Sequence, residues 1–505
     1  MSNLSELLPA GGGGLTAEFV ASGTLPNGQA VILNSNGSVT AVAQTSSSVA
    51  PFVASKGSAV AFNAASTTLI GSDFDPNDAN TVIIAYQDAG NSNYGTCIIG
   101  TVNGETISFG SEIVFHSSQI GSFDITLEFN PNTSNQFVIT FGDYSVGVGD
   151  FTAIIGTRSG SSLSFSSKFT IHSGNVPWGT FAFDRSSANQ FLIVYRHNNT
   201  YYGLAQVALI SGSSISFGAE TVFNSGQSNE ESVSSDPNTA RQFVIGYKFN
   251  SPMYAIVATT TASNTVSFGA AVSISANVYN GEVSCDVNTA NKFIFAYSDA
   301  ANSYYATAKA ATISGTTISL GNAAIVGSVT SYSAIAEYSN LSPSVFSIAY
   351  QDRTNSDNIV VRSGTTSGTT ITLGAASVIH TGGAGGSGQF GGSLCFSTGG
   401  KFGLMYSNSI VSNHGTATIG TVSVTALNTN LTATNFVGMP DKAYASGSTA
   451  TVALEGGVST NQTSLTIGST YFVQDNGTLG TSAGTVTVEA GRAMSATSIL
   501  IKGNK

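Results

Sequence analysis

A short apolar run closed by an aromatic residue recurs seven times along this chain. It reads Val82-Ile83-Ile84-Ala85-Tyr86 at first, then Phe137 to Phe141, Phe191 to Tyr195, Phe243 to Tyr247, Phe293 to Tyr297, Phe346 to Tyr350 and Phe402 to Tyr406. The closing aromatics are spaced by 55, 54, 52, 50, 53 and 56 residues, so the chain is a repeat array. Each run is apolar throughout rather than alternating, which predicts a strand buried on both faces.

The second copy shows one whole repeat. Ile125 to Phe129 is a first strand, Asn130-Pro131-Asn132 a turn and Phe137 to Phe141 the second strand. A polar loop leads to a third strand at Phe151 to Gly156, and Leu163-Ser164-Phe165 opens a fourth. The turn returns as Asp75-Pro76-Asn77 and Asp236-Pro237-Asn238, with Asp286-Val287-Asn288 a variant; Asp or Asn before Pro favours a turn without any chemistry. A fourth-strand marker, Ser-Phe-Gly in its commonest form, aligns Phe109, Phe165, Phe217, Phe268, Leu320, Leu373 and Leu427, an independent count of seven. Seven units of four strands predict an all-β fold, a seven-bladed β-propeller of four-stranded blades, over a β-solenoid with its shorter repeats. Runs such as Glu112-Ile113-Val114-Phe115-His116 and Glu220 to Asn224 follow the marker, but none follows Leu427. A matching piece, Ala59-Val60-Ala61-Phe62-Asn63, precedes the first repeat instead. It is predicted to complete the last blade and close the ring, leaving no open edge.

The rest of the chain predicts a small terminal β domain. Residues 1–14 form an arm ending in Gly11-Gly12-Gly13-Gly14, disordered in isolation or ordered against a neighbouring subunit. Residues 15–50 carry a hairpin about Asn36-Gly37, residues 51–431 the propeller, and residues 432–505 strands at Thr449–Leu454, Tyr471–Gln474, Thr485–Glu489 and Ser498–Ile501. The outer segments are expected to pack together, with the propeller inserted between them.

Charge narrows the function. Only 9% of residues are charged, the formal charge is -11 and no Lys/Arg run occurs, which argues against nucleic-acid binding. Cys97, Cys285 and Cys395 are too few for a disulfide framework and read as small buried side chains, Cys285 and Cys395 at roughly equivalent repeat positions. The first residues lack a basic region followed by a long apolar one, and no run of 18 apolar residues exists. The expectation is synthesis in a cytoplasm, no secretory signal and no membrane insertion.

The recurrent polar loop after the second strand offers the candidate ligand-binding residues: Asp88, Asn91 and Tyr94 in the first repeat, Asp299, Asn302 and Tyr304 in the fifth, and Asp352 and Asn355 in the sixth. Asn, Asp and Tyr supply hydrogen bonds and a stacking surface for a glycan, although Asp at a loop start equally caps its own turn. The loops are only loosely like the aspartate boxes of sialidases, and Trp178 lies elsewhere. Glu230 and Glu231 are the carboxylates a glycosidase would need, and they read as a solvated loop before the fourth repeat. Clustering of these two with another carboxylate at one mouth of the ring would favour an enzyme. His116, His172 and His380 share one repeat position and read as structural, and His197 and His414 lack metal-ligand spacing. No catalytic residue, metal site or cofactor is predicted.

The chain ends carry a resemblance. Leu4-Ser5-Glu6-Leu7-Leu8-Pro9-Ala10-Gly11-Gly12-Gly13, the run Gly468 to Leu479 and the close Ala490 to Ser495 resemble virion structural and tail-fibre-like proteins of marine bacteriophages, as do the Phe-Asp-Pro-Asn and Ser-Phe-Gly repeats. The resemblance implies location on a virion and brings no catalytic residues. The resulting expectation is a non-enzymatic virion surface protein, a tail appendage held through its terminal β domain to other virion proteins. It would be a homo-oligomer that displays the propeller to host-surface glycan. The alternatives are a capsid decoration protein and a glycan-degrading propeller enzyme.

Overall fold

The computed structural model describes residues 15–43, 51–121, 125–145, 147, 149–186, 189–237, 239–382, 392–423, 429–481, 483 and 486–502. The predicted arm at 1–14, the passage from Gln44 to Ala50, Asn238 of one turn, the marker Leu427 and Thr485 lie outside the described residues. The chain divides into two compact units, Met1–Val49 with Thr425–Lys505, and Ala50–Val424.

The unit Ala50–Val424 is a seven-bladed β-propeller. The seven apolar runs are its second strands, Thr81–Asp88, Gln136–Asp143, Gln190–Arg196, Gln242–Phe249, Lys292–Asp299, Val345–Asp352 and Lys401–Asn408. Every residue from Val82 to Tyr86 is buried, as burial between two blades requires. In blade 2 the antiparallel order is Thr126–Phe129, Gln136–Asp143, Asp150–Ser159 and a fourth strand in two pieces, Ser162–Phe165 and Phe169–Asn175, both paired to the third. In blade 1 the outer piece Thr106–Phe109 alternates in exposure, the pattern of a strand with one wet face. The first strands pack on one another around the centre.

Closure follows the sequence reading. The long strand Val60–Phe74 serves two blades. Its start pairs with blade 7 (Val60 with Ala417, Asn63 with Gly415), and its end is the inner strand of blade 1 (Phe74 with Val82). Phe62 lies over Gly415 as Phe115 lies over Gly95 and Phe223 over Gly203. A methyl group on any of these glycines would come within 2.4 Å of the ring above it. Phe52–Lys56 adds to the same third strand.

The repeated polar residues hold blade to blade. Asp75 and Asp286 cap their own turns, accepting from Asn77 N at 2.9 Å and Asn288 N at 3.0 Å. Asp286 also accepts from Ser344 N of the next blade at 2.8 Å. The three equivalent histidines pack, tilted by about 45°, against the aromatic that closes the next blade's second strand, His116 against Phe141, His172 against Tyr195 and His380 against Tyr406. All three cysteines are buried and free. Register corrects one detail: Cys285 pairs with Phe293, but in blade 7 it is Phe396 that pairs with the matching Phe402, so Cys395 sits one step earlier. Alternation then turns it to the other face of its blade.

In the other unit, N- and C-terminal strands share one sheet: Thr16–Val20 pairs with Thr449–Ala453, and Val31–Leu33 with Phe436–Pro440. A second sheet joins Val458–Ser459, Ile499–Ile501, Glu489–Ala493, Thr470–Val473 and Leu479–Gly480. Of the described residues in the strand expected at Thr485–Glu489, only Glu489 belongs to a strand, Glu489–Ala493, and Val488 is fully buried just before it. Among the described residues no helix is long and apolar enough to cross a membrane.

Candidate functional site

The first strands of all seven blades enclose a central channel of about 350 Å³, within the roughly 300–1,000 Å³ usual for ligand sites. At the end where these strands finish, one position recurs two residues before the turn. It carries Asp73 in blade 1, Glu128 in blade 2 and Glu337 in blade 6. Asp73 accepts from Phe129 N and Glu128 from Phe183 N, both at 2.9 Å, so each ties its strand to the next. Arg185 lies among them, 3.6 Å from Glu128. All three carboxylates are only half-buried, since they face the channel, yet they lie deep in the protein. Burial pushes Asp73 up to about 6, Glu128 to about 7 and Glu337 to about 8, with Arg185 opposing each rise. Burial works against the Arg185 charge as well, but the three carboxylates keep its pKa raised.

The start of the inner strand of blade 4, Ser228–Ser235, is bulged, as are those of blade 1 between Thr68 and Gly71 and of blade 5 between Val278 and Gly281. A bulge between Asn229 and Ser232 carries Glu230 and Glu231. Glu230 adopts a left-handed φ of 52°, costly for a side chain with a Cβ. The two glutamates are therefore not a solvated loop: they belong to the strand and line the channel. Lys248 binds Glu230. Glu231 is 8% exposed; burial pushes it up to about 7, opposed by the Ser228 hydroxyl and the Arg196 charge. The Ser228 hydroxyl does this as a hydrogen-bond donor to the carboxylate. Arg196 Nε, Glu230 Oε2 and Ser232 Oγ are buried here without an aligned partner. Buried polar groups left unpaired cost roughly 1–3 kcal/mol each.

An arc of rings and cations continues from this bulge across blades 3 to 6. The Arg196 guanidinium lies 4.4 Å from the Trp178 ring centre and 5.1 Å from that of Tyr201, and its Nη1 donates to Asn229 at 2.6 Å. Lys248 lies 5.9 Å from Tyr279. Tyr279, Tyr304 and Tyr332 form a triangle with centroids 6.1, 5.0 and 5.0 Å apart, and Arg353 stands 4.7 Å from Tyr332. Flat rings beside cations and amide groups present stacking faces and hydrogen-bond donors together.

Of the residues singled out from sequence, only Tyr304 belongs to this arc. Asp88 is buried and spends its carboxylate on Gly90 N and Asn63 Nδ2, Asp299 accepts from Ala301 N, and Asp352 from Thr354. Asn91 and Asn302 lie in short 3-10 turns, Tyr94 opens a third strand, and Asn355 is exposed in its loop. Trp178, Arg196, Tyr201, Lys248, Tyr279, Tyr332 and Arg353 escaped the sequence reading. The signal for one was present: Tyr201 and Tyr304 hold the same left-handed loop position that Asn93 and Asn413 fill in blades 1 and 7. Among the described residues no group of His, Cys, Asp and Glu could hold a metal ion.

No family model matches the chain, and no curated protein matches it in sequence. Among solved structures it is similar to the BP39L lectin of Burkholderia pseudomallei, at 10% identity and a TM-score of 0.51 over 73% of this chain and 99% of that one. It also matches Sqt1 of Saccharomyces cerevisiae (7% identity, TM-score 0.41, 74% of this chain and 100% of that one). AofleA of Arthrobotrys oligospora gives 7% identity and 0.41 over 73% of this chain and 100% of that one. At such identities the first likeness shows the propeller fold alone, and the other two carry no argument.

Proposed function

We propose that this chain is a non-enzymatic virion surface protein, a tail appendage whose propeller binds host-surface glycan. The observation that carries the binding function is the arc from Trp178 and Arg196 to Tyr332 and Arg353: rings for sugar faces, cations and amides for sugar oxygens. The lectin of like fold is a precedent for the scaffold only. Virion placement rests on the resemblance of the chain ends, with the terminal β unit attaching to other virion proteins in a homo-oligomer and capsid decoration as the alternative location. The test is a host-glycan array probed with the intact chain, Trp178→Ala and Tyr332→Ala. Each substitution is expected to lower binding about tenfold or more, the loss of a stacked ring in a binding site. An array without signal for the intact chain overturns the reading.

One observation favours a glycan-degrading enzyme: Glu231, held near 7, shares the channel with Glu230, Asp73, Glu128 and Glu337. The arrangement argues against it. Asp73 and Glu128 are tied to backbone amides at the far end of the inner strands, and Glu230 to Lys248. Release of reducing sugar from host polysaccharide, lost in Glu231→Gln, would establish the enzyme instead.

A further inference from the structure

The rings of the arc stand in two groups, with Tyr201, Tyr202 and Tyr279 exposed and Trp178, Tyr304 and Tyr332 half-buried. The first group belongs to blade 3. Trp178 directly precedes its inner strand, Gly179–Phe183, and Tyr201 and Tyr202 close the loop between Gln190–Arg196 and Gly203–Ser211. The second is shared by blades 5 and 6: Tyr279 lies in Val278–Cys285, Tyr304 just before Tyr305–Ser314 and Tyr332 just before Ala334–Tyr338. Within a group the rings are neighbours, as the tyrosine triangle shows. Between the groups stands blade 4, which joins them through Lys248 beside Tyr279. Sheets packed face to face lie about 10 Å apart, so two blade-to-blade steps put Trp178 roughly 15–20 Å from Tyr279. No single sugar unit reaches both.

Among the described residues this surface carries no excess of positive charge. Lys248 is bound by Glu230, Arg353 lies 3.6 Å from Asp357, and the Glu231 charge acts on Arg196. Asp299 and Asp352, which cap the loops of blades 5 and 6, add further acidic groups. An acidic polymer therefore gains little here, whereas a neutral sugar can lay its C–H face on either ring group.

We propose that the arc binds an uncharged polysaccharide along its chain. One unit stacks on Trp178 and Tyr201 at blade 3, another lies over the tyrosine triangle at blades 5 and 6, and the units between them cross blade 4 beside Lys248. The inference rests on the glycan-binding reading and adds the substrate class: an internal stretch of a neutral chain, not a terminal sugar. Two ring groups fixed on one scaffold act as linked sites, so a chain long enough to span them engages both for one loss of translational freedom.

The experiment measures affinity by calorimetry for size series, monosaccharide to octasaccharide, of the neutral glycans that give array signal, beside an oligogalacturonate series. It uses the full chain, Trp178→Ala, Tyr332→Ala and the double variant. The full chain is expected to bind the octasaccharide at least about tenfold more tightly than the disaccharide. Each single variant weakens octasaccharide binding about tenfold, and the double variant loses the dependence on length. Tyr201→Ala, at an exposed ring of the same group, serves should Trp178→Ala fail to fold. Equal affinity for monosaccharide and octasaccharide overturns the inference and leaves the glycan-binding reading standing. So does a monosaccharide whose binding is lost in both single variants, since the two ring groups would then meet on one unit. Preference for acidic chains, on the array or in calorimetry, also overturns it. No binding of any glycan by the full chain overturns both.

Discussion

Tyr201 and Tyr304 show at single residues how this propeller trades stability for a surface. Both occupy left-handed backbone, at φ 61° and 59°, in loops where Asn93 and Asn413 hold the same conformation. Asn tolerates that region because its short polar side chain bonds locally; a tyrosine does not, and costs roughly 1 kcal/mol more. Tyr201 recovers little of that by packing, being about half exposed, with its ring beside Arg196. Tyr201→Asn is therefore expected to raise unfolding stability by about 0.5–1 kcal/mol and to weaken glycan binding. Urea denaturation and the array check the two halves separately. A destabilised variant would mean that the ring packs for structure and that the strain serves no ligand.

At the scale of strands, the ring depends on one borrowed piece. Without Val60 to Ser66 the third strand of blade 7, His414–Ser423, would lose most of its outer partner, and Phe62 is the anchor. Its ring is 5% exposed and lies 5.1 Å from Tyr86 and 5.9 Å from Phe109, so one side chain joins blade 7 to blade 1. Phe62→Ala should cost about 3–5 kcal/mol in urea denaturation, the range for a large buried aromatic. Loss of under 1 kcal/mol would show that closure lies in Phe52–Lys56 instead. This joint was legible in the sequence because Phe62 stands in a run like those of Phe115 and Phe223, and strand burial is written locally in the period and in the unbroken apolar runs. The site was not, since Trp178, Arg196, Tyr279 and Tyr332 come from three different blades and meet only when the ring forms. The bulge was equally hidden: Glu230 and Glu231 look like a polar loop until the register of Ser228–Ser235 is known. The loop aspartates are no guide to the site for a related reason: Asp88 and Asp299 recur for the turns they cap.

The whole ring converges on the three carboxylates around Arg185, and their titration, with that of Glu231, gives the propeller its pH dependence. Asp73, Glu128 and Glu337 carry folded pKa values near 6, 7 and 8, raised by burial above the ordinary carboxylate range. The folded state thus holds protons that the unfolded chain releases near pH 4. Their contribution is fully present below about pH 4 and is lost as pH rises through about 6 to 8. Arg185 limits the loss, since one guanidinium compensates the first ionisations better than the last. The thermal midpoint of the propeller transition is expected to fall by several degrees between pH 5 and pH 8. Glu337→Gln, which removes the highest of the three pKa values, should flatten that fall while leaving the midpoint at pH 5 nearly unchanged. Arg185→Met should steepen it, because three buried carboxylates then ionise without a cation among them. A midpoint that rises from pH 5 to pH 8 in the unmodified chain would show that the charges are solvated through the channel. The centre of the ring would then be a water-filled passage rather than a proton-holding core.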